Sequence, residues 1–324
     1  MANKFYYTST DLINSIKRRI LFPISQSTFS EQDILDFATE EMNMAIVPVV
    51  LQKQEDYYLY TEDITLVNGT SKYNIPYRAI GNKIREVSLV DASGTLYEMT
   101  RVGVGDLPNY PTNYSARLNI FYIQNNQICV IANSAAINLT GNFFRVSYYL
   151  RPNSMVPNAE IANVVSVNAA TGEITVDAIP AGFSALTLNS SLLKLDFIKS
   201  TSPHKLLSYD IQIVALNSTT KIITIAAANI PSELAMNDIV ALATQTNIPQ
   251  IPSDLHVLLA QRVSARILES IGDTEGLTNA NAKIAELEQK TEVLIGNRVD
   301  DAPKIINNAK SLLRVGALRR RIWR

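Results

Sequence analysis

The chain has 324 residues, and its 29 lysines and arginines against 30 aspartates and glutamates leave a net charge of −1. Proteins that depend on non-specific nucleic-acid binding usually carry a basic excess, so the overall charge argues against that class. With 47% hydrophobic residues, a single cysteine and no apolar run of ~20 residues, the composition predicts a globular protein without a membrane span, an intrachain disulfide or a thiolate metal site.

The first part of the chain shows helical periodicity. The capping-box spacing of a hydroxyl residue and an acidic residue three positions later occurs twice, at Thr8 with Asp11 and at Ser30 with Asp33. An apolar stripe follows each of them, which predicts two helices, the second longer than the first. Pro48 is expected to kink or stop the second helix, because proline lacks the backbone N–H that a helix interior requires.

Between residues 57 and 151 the hydrophobic period changes to two, which predicts a β-rich block. Turns between strands are expected at Asn68-Gly69, Ser93-Gly94 and Asn125-Asn126. The stretch from Gly103 to Pro111 is interpreted as a loop with about one helical turn.

Residues 152–251 are interpreted as a second β-rich block, which is net acidic. Two of its segments, 164–176 and 212–225, each read as a strand, a polar turn and a strand. Each is followed by an apolar segment with one aspartate, Asp196 in the first case and Asp238 in the second. This weak internal repeat predicts two similar halves of one small barrel or sandwich.

Residues 252–315 return to helical periodicity. One helix is expected to begin at 252–254 and to end at Gly272. The next shows an apolar period of seven, which favours an antiparallel hairpin with the preceding helix. A third helix is predicted over 304–315, and the basic tail 316–324 follows it.

The helical patterns occur only near the two ends of the sequence, and their apolar faces need partners. The predicted fold class is therefore α+β, with a helical body formed by the N- and C-terminal segments and inserted antiparallel β-rich blocks, barrel or sandwich. Residues 8–54 are expected to pack against 252–315. The predicted organisation is N-terminal helices at 1–56, β-rich blocks at 57–151 and 152–251, a helical hairpin plus helix at 252–315, and a basic tail at 316–324.

No spacing typical of a catalytic, cofactor or metal site is found. Ser253, Asp254 and His256 lie together at a helix start, where Ser and Asp normally cap, whereas the members of a catalytic triad come together from distant positions. His204 follows Ser-Pro and is interpreted as a solvated loop histidine. The two histidines lie far apart in the sequence. The chain is therefore predicted not to be an enzyme and to need no cofactor or metal.

Two aromatic features suggest binding surfaces. A group of tyrosines could stack on a sugar, but strand alternation turns about half of them inward, so a core or subunit contact is favoured for Tyr57, Tyr58, Tyr60, Tyr73, Tyr77, Tyr148 and Tyr149. In the C-terminal tail an aromatic side chain lies among arginines, an arrangement common at interfaces. The predicted interface residues are Arg319, Arg320, Arg321, Trp323 and Arg324.

Several stretches are specific in combination, although each is weak alone. They include TFSEQDILDFATEEMN, YNIPYRAIGNKIREVSLVDASG, IPQIPSDLHVLLAQRVSARILESIGDTEGL and RVDDAPKIINNAKSLLR. With these stretches in this order, nearly the whole chain resembles the head-to-tail connector proteins of tailed bacteriophages, the portal adaptors or neck rings, including those of crAss-like phages.

The resemblance implies a structural virion protein, made in the host bacterial cytoplasm and located at the portal–tail junction, the neck. It implies a ring of twelve copies that connects the portal vertex of the capsid to the tail and lines or seals the DNA channel. The implied partners are other copies of the chain, the portal protein and adjacent ring or tail proteins, with packaged DNA as a further candidate for the tail arginines. No catalytic residue or membrane partner is implied.

Two other classes compete with this interpretation. One is a tail-associated glycan-binding or hydrolytic module that uses residues 152–251, and the other is a cellular β-sandwich adhesin. A glycan binder needs exposed aromatic side chains, and this block contains only Phe183, Phe197 and Tyr209. A hydrolase needs a pair of carboxylates in a cleft, and the sequence gives no sign of one. Both observations argue against a tail-associated module.

Overall fold

The computed structural model describes residues 7–20, 28–109, 120–130, 141–180, 182–183 and 193–296. Its helices are α1 (Ser9–Arg19), α2 (Glu31–Glu41), α3 (Val47–Lys53), α4 (His256–Ile271) and α5 (Thr274–Leu294), with a π-helical segment at Met42–Ile46. Its strands are β1 (Leu59–Thr65), β2 (Lys72–Asn74), β3 (Ala79–Val90), β4 (Leu96–Glu98), β5 (Thr100–Arg101), β6 (Ile120–Gln124), β7 (Gln127–Val130), β8 (Phe143–Leu150), β9 (Ser154–Met155), β10 (Ala162–Asn168), β11 (Glu173–Val176), β12 (Lys194–Ile198), β13 (Leu206–Asn217), β14 (Ile222–Ile225), β15 (Ile239–Leu242) and β16 (Gln245–Thr246). The fold class is α+β, as the sequence predicts.

The first two helices begin at the predicted capping boxes. The Ser30 hydroxyl accepts a hydrogen bond from the backbone N–H of Asp33 at 3.1 Å, and the Asp33 carboxylate accepts one from the backbone N–H of Ser30 at 2.8 Å. At α1 the Asp11 carboxylate accepts from the backbone N–H of Thr8 at 3.0 Å. These bonds satisfy N–H groups that have no partner inside the helix.

Pro48 does not stop the second helical run, which continues from Glu31 to Lys53. The interruption takes the form of the π-helical segment Met42–Ile46, and Pro48 lies in the first turn of α3 directly after it. Proline has no backbone N–H to bond to a carbonyl of the preceding turn, and its ring crowds that turn, so the regular winding is interrupted where the π-helical segment lies. Of the two outcomes predicted for Pro48, a kink or a stop, the stop does not occur, and the helix changes its winding beside the proline.

The two ends of the described chain share one core, the helical body. Its N-terminal helices bury Leu12, Ile16, Ile34, Leu35, Met42 and Val50 against Leu255, Leu259, Val263 and Ile267 from the C-terminal part. This burial confirms the predicted helical body within the described residues. Each such side chain contributes about 1.5–3 kcal/mol when fully removed from water.

Helices α4 and α5 form the predicted antiparallel hairpin. Gly272 ends α4 with a φ of +77°, a left-handed conformation that glycine adopts without strain. The Asp273 carboxylate then accepts from the backbone N–H of Gly276 at 2.9 Å and begins α5. Ala280 of α5 packs against Ala265 and Leu268 of α4.

The first β-rich block contains two sheets. One has the antiparallel order β1-β8-β3-β4, and the other has the order β2-β7-β6-β5, in which β5 and β6 are parallel. The turns at Ser93-Gly94 and Asn125-Asn126 join the paired strands β3–β4 and β6–β7, as predicted. The turn at Asn68-Gly69 does not make a hairpin, because β1 pairs with β8 and β2 pairs with β7. Turn residues set the local chain reversal, whereas the pairing partner depends on long-range packing.

The second β-rich block is a closed six-stranded barrel with the order β10-β11-β14-β13-β12-β15. The hairpins β10–β11 and β13–β14 have matching registers and bulges, with Val164 opposite Val176 in the first and Ile213 opposite Ile225 in the second. If β10, β11 and β12 are exchanged with β13, β14 and β15, the order of the strands around the barrel is unchanged. The internal repeat predicted from the sequence is therefore present as two equivalent hairpins in one barrel.

Candidate functional site

The residues that the sequence predicts for the interface, Arg319, Arg320, Arg321, Trp323 and Arg324, lie outside the described residues. The predicted helix 304–315 also lies outside them. Both remain predictions. The described residues instead define a buried polar network between the barrel and the first β-rich block, and a pair of buried histidines beside it.

The capping role expected for Ser253 and Asp254 is wrong. A 3₁₀ turn, Ser253–Leu255, precedes α4, and neither helical start carries a side-chain capping hydrogen bond. The backbone N–H of Leu255 is bonded to the carbonyl oxygen of Pro252 at 2.9 Å, so the 3₁₀ turn satisfies this group without a side chain. His256, which follows the turn, stacks on Tyr7 with 4.8 Å between the ring centroids.

His256 is buried and neutral at physiological pH. Its side chain is only 7% exposed, and within the described residues its Nε2 atom has no hydrogen-bond partner. Burial and, to a smaller extent, the nearby His204 together lower its pKa to about 4, because burial and a second positive charge both disfavour the imidazolium form. A histidine enclosed in this way is not placed to exchange protons with a substrate.

His204 is also buried, contrary to the expectation of a solvated loop. It has a φ of +56°, it follows the cis peptide bond between Ser202 and Pro203, and its Nδ1 atom lies 3.4 Å from the carbonyl oxygen of Lys199. Burial lowers its pKa. The fold thus brings together two histidines that are distant in the sequence. Within the described part of the chain, no group of three or more His, Cys, Asp or Glu side chains is arranged to hold a metal ion.

Most of the predicted tyrosine group belongs to the protein interior or to the contact between the two β-rich blocks. Tyr58, Tyr73 and Tyr148 are buried, whereas Tyr77 is 60% exposed. The hydroxyls of Tyr148 and Tyr209 lie 2.6 Å apart, and the Tyr209 hydroxyl donates a hydrogen bond to Glu62. The favoured interpretation of these tyrosines as core residues is therefore correct for the three buried ones.

Burial is the main cause of the raised pKa values of Tyr148 and Tyr209. The Tyr148–Tyr209 hydrogen bond raises the pKa of Tyr148 further, and the carboxylate of Glu62 raises that of Tyr209. Both phenols are therefore neutral donors, and their hydroxyls connect β8 of the first block to β13 of the barrel.

Arg78 is the centre of the polar network. Its guanidinium donates to Asp196 through Nη1 at 2.7 Å and through Nη2 at 3.0 Å, and its Nη2 also donates to Asp210 at 2.8 Å. The Tyr77 hydroxyl donates to the second oxygen of Asp210 at 2.6 Å. We refer to Tyr77, Arg78, Asn153, Asp196 and Asp210 as the junction network.

A bulge in β13 directs the side chains of Tyr209 and Asp210 toward the first β-rich block. Between the pairs Leu195–Ile211 and Phe197–Ser208, β13 contains one more residue than β12. The extra residue leaves Asp210 with a φ of +57°, a conformation that aspartate tolerates better than most side chains. Bulges commonly re-aim side chains in this way, and here Tyr209 and Asp210 both reach across the junction.

The charged and polar atoms of the junction network have hydrogen-bond partners. Asp196 also accepts from the Asn153 side-chain amide at 2.8 Å and from the backbone N–H groups of Thr244 and Asp210 at 2.9 and 3.1 Å. Burial disfavours the charge on Arg78, but its hydrogen bonds and its charge interaction with Asp196 outweigh that effect and raise the pKa of Arg78. Because the polar atoms are already bonded to one another, the arrangement is suited to structural stiffness.

The network extends into the helical body. The backbone N–H of Asn153 donates to the side chain of Gln250 at 2.7 Å, and the hydroxyl of Tyr58 donates to the Gln250 carbonyl oxygen at 3.1 Å. The backbone N–H of Met155 donates to the hydroxyl of Thr39 in α2 at 2.8 Å. The helical body, the first β-rich block and the barrel are therefore connected by buried hydrogen bonds.

One sequence signal could have revealed this network. Asp196 interrupts the apolar segment LLKLDFI, and a carboxylate in the middle of a buried strand requires a cationic partner. The partner, Arg78, is more than one hundred positions away, so the sequence does not identify it. Asp238, the other aspartate of the internal repeat, precedes β15 and binds Lys199 at 2.9 Å. The two aspartates therefore do not occupy equivalent positions in the barrel.

Large apolar side chains are exposed in several places, and Met44 is the most exposed of them at 82%. None of the helices in the described ranges has the length and apolar character needed to cross a lipid bilayer.

Comparison with known proteins assigns the family. A search of curated proteins finds no match. The sequence profile described as "SU10 adaptor protein" matches residues 7–186, which is more than half of the chain and covers the N-terminal helices, the first β-rich block and the first hairpin of the barrel. The chain therefore belongs to the SU10 adaptor protein family, a family of structural adaptor proteins of bacteriophages.

Proposed function

We propose that the protein forms a ring of twelve copies in the neck of a tailed phage, where it connects the portal vertex to the tail and lines or seals the DNA channel. Family membership carries this proposal, since an adaptor joins two parts of a virion. The proposal includes the finer resemblance to the connectors of crAss-like phages. The proposed partners of the protein are neighbouring copies, the portal protein and the adjacent ring or tail proteins.

The internal construction of the subunit supports a ring component. A closed ring uses two different patches on each subunit, and these patches must keep a fixed angle for the ring to close. The junction network and the bonds at Gln250 hold the three parts of the chain to one another through buried contacts. Such a subunit presents its two patches in a constant geometry.

The charge distribution supports contacts between the C-terminal tail and a neighbour. Eight basic and two acidic residues give the segment 297–324 a charge of +6. Because the whole chain has a net charge of −1, residues 1–296 carry a net charge of −7. Opposite charges on two surfaces favour association and fix its register. We propose that residues 313–324 dock on a neighbouring subunit or portal surface, with Trp323 in a pocket and Arg319–Arg321 facing acidic groups.

The test is assembly with the portal. The purified protein, mixed with its portal protein, is expected to form rings seated on the portal in negative-stain images and to sediment with it. The chain truncated after Leu312 is expected to remain folded and to lose this assembly. The absence of any association with the portal would contradict the adaptor position, and unchanged assembly of the truncated chain would contradict the role of the tail.

We propose a structural role over the alternative of a glycan-binding or hydrolytic tail module. The three buried tyrosines are not available for sugar stacking, and His256 is enclosed with a pKa of about 4. The intact protein is expected to have no hydrolytic activity on peptidoglycan or capsular polysaccharide. Activity that is lost in His256→Ala while the fold is retained would favour the hydrolytic alternative.

A further inference from the structure

A preformed groove lies on the helical body. Its volume is about 280 Å³, and it runs between the π-helical segment and α3 on one side and α4 and α5 on the other. Its floor consists of the buried side chains of Ile46, Leu255 and Leu258, while Val49 on one wall is 40% exposed and Thr291 lies on the opposite wall. We refer to this feature as the body groove.

Ion pairs set the spacing of the helices around the body groove. Arg262 of α4 donates to Glu41 of α2 through Nε at 3.0 Å and to Glu288 of α5 through Nη1 at 2.5 Å. One side chain therefore connects three helices beside the groove. A groove held open in this way does not need to reorganise when a ligand binds, which lowers the cost of binding.

The open end of the body groove is apolar. Leu294 lies three residues beyond Thr291 on α5, so it is on the same helical face, and it is 63% exposed. Exposed large apolar side chains beside an apolar groove are typical of a surface that another segment covers.

The chain itself continues from this point. The structure describes α5 to its end at Leu294 and the next residues to Gly296, and the predicted helix 304–315 begins after seven further residues. Seven residues reach at most about 25 Å when extended. That distance suffices to return a helix to a groove that Thr291 already lines. Because the segment is tethered, its effective concentration at the groove is in the millimolar range, which favours the chain's own segment over any free ligand.

The segment has the side chains that the body groove requires. Ile305, Ala309 and Leu312 recur at positions i, i+4 and i+7 and form one apolar stripe. A ~150 Å³ apolar cavity accommodates a benzene ring, so the groove offers space for about two side chains of that stripe. The segment also carries Lys304 and Lys310 and no acidic residue. The lining of the body groove contains Lys53 and Arg262 as well as Glu288, so the apolar stripe and not charge determines the fit.

We propose that the body groove is the docking site for residues 304–312 of the same chain. The segment completes the helical body as its last helix, with its apolar stripe against Val49 and Leu258. This arrangement also fixes the point from which residues 313–324 leave the subunit. The proposal concerns the single subunit and does not depend on ring assembly or on the portal.

Disulfide trapping tests the proposal on the full chain. In a Cys129→Ser background, the pair Val49→Cys and Leu312→Cys is expected to form an intramolecular disulfide under mild oxidation, seen as a monomer with faster mobility in non-reducing gels. The matched control pair, Thr278→Cys and Leu312→Cys, places the first cysteine at an exposed position of α5 far from the groove and is expected not to cross-link. Absence of the Val49–Leu312 cross-link would overturn the proposal, as would a cross-link found only between two chains.

Truncation provides a second, independent measurement. Removal of all residues after Asp301 is expected to lower Tm by on the order of 5 °C and to increase the binding of a dye that reports exposed apolar surface. The chain truncated after Leu312 retains the stripe and is expected to match the full-length protein in both measurements. Equal Tm and dye binding for the Asp301 truncation and the full-length chain would show that the groove has no occupant in this segment.

Discussion

Arg78 and Asp196 form a two-point ion pair in the protein interior, with N–O distances of 2.7 and 3.0 Å, although they belong to different β-rich blocks. The side chain of Arg78 is 3% exposed, and that of Asp196 is fully buried. An ion pair of this kind costs desolvation energy, so its contribution to stability is small, but loss of one partner leaves an uncompensated charge in the interior. Its main consequence is that the two blocks cannot move relative to each other without breaking it.

Arg78→Met is therefore expected to destabilise the protein by about 3–5 kcal/mol, because Asp196 and Asp210 would lose their cationic partner. Chemical denaturation measures this change. The control is Arg85→Met, which removes an exposed arginine paired with Glu55 and Asp56 and is expected to cost less than about 1 kcal/mol. Equal effects of the two substitutions would contradict a structural role for the junction network.

Stability is expected to fall when the pH is lowered from 7.5 to 5. The pKa of His256 is about 4 in the folded protein, well below the value of 6.5 for an exposed histidine, so the unfolded chain binds more protons in this range. For His256 alone, the free energy of unfolding is expected to be about 2 kcal/mol lower at pH 5 than at pH 7.5.

The variant His256→Phe tests this assignment, because phenylalanine retains an aromatic ring beside Tyr7 without a titrating group. Its loss of stability between pH 7.5 and 5 is expected to be smaller than that of the wild-type protein by the same amount. His204 also has a lowered pKa, so some pH dependence is expected to remain. A wild-type pH dependence in His256→Phe would show that other groups control the acid response.

The two equivalent hairpin turns of the barrel allow a matched glycine test. Gly172 has a φ of +76°, and a Cβ atom there would lie 2.1 Å from the carbonyl oxygen of Ile225. Gly172→Ala is expected to destabilise the protein by about 2 kcal/mol or more, as measured by thermal and chemical unfolding.

Lys221 occupies the corresponding turn of the second hairpin with a φ of +56°. Glycine adopts this conformation without strain, so Lys221→Gly is expected to be nearly neutral, although it also removes the bond from the Lys221 amino group to Asp177. A large loss of stability in Lys221→Gly, together with none in Gly172→Ala, would contradict the described turn geometry.

Salt dependence separates the two candidate partners of the C-terminal tail. If about three arginines contact DNA phosphates, the slope of log K against log salt concentration is expected to be near −3 for duplex DNA. Docking of Trp323 into a protein pocket is expected to be less sensitive to salt, because burial of an aromatic side chain is not screened. Fluorescence anisotropy of the full chain and of the chain truncated after Leu312 measures both quantities.

Local patterns predicted the elements of the fold well. The capping boxes at Thr8 and Ser30, the end of α4 at Gly272 and the turns at Ser93-Gly94 and Asn125-Asn126 all depend on interactions within a few residues. The repeated hairpins of the barrel were visible for the same reason. The predicted α+β class followed from where helical and strand periods occur along the chain.

Long-range contacts decided the remaining features. Whether the strand before Asn68-Gly69 pairs with its neighbour or with β8 depends on the packing of the whole sheet, and the pattern around the turn carries no information about it. Pro48 was expected to disturb a helix, but the π-helical segment that accommodates it depends on the surrounding core. The solvated loop predicted for His204 was wrong, because His204 is buried and the neighbouring Pro203 carbonyl oxygen accepts a hydrogen bond from the Tyr57 hydroxyl.

By itself, the sequence determined the starts of α1 and α2, the hairpin of α4 and α5, the two hairpins of the barrel, the α+β class and the family resemblance, because each depends on periodicity or on motifs of a few residues. Only the tertiary structure decided the junction of Arg78 with Asp196 and Asp210, the proximity of His204 to His256 and the shape of the body groove. The physical reason is that the interaction of two groups depends on their separation in space. For residues far apart in the chain, that separation is set by the packing of all the elements between them.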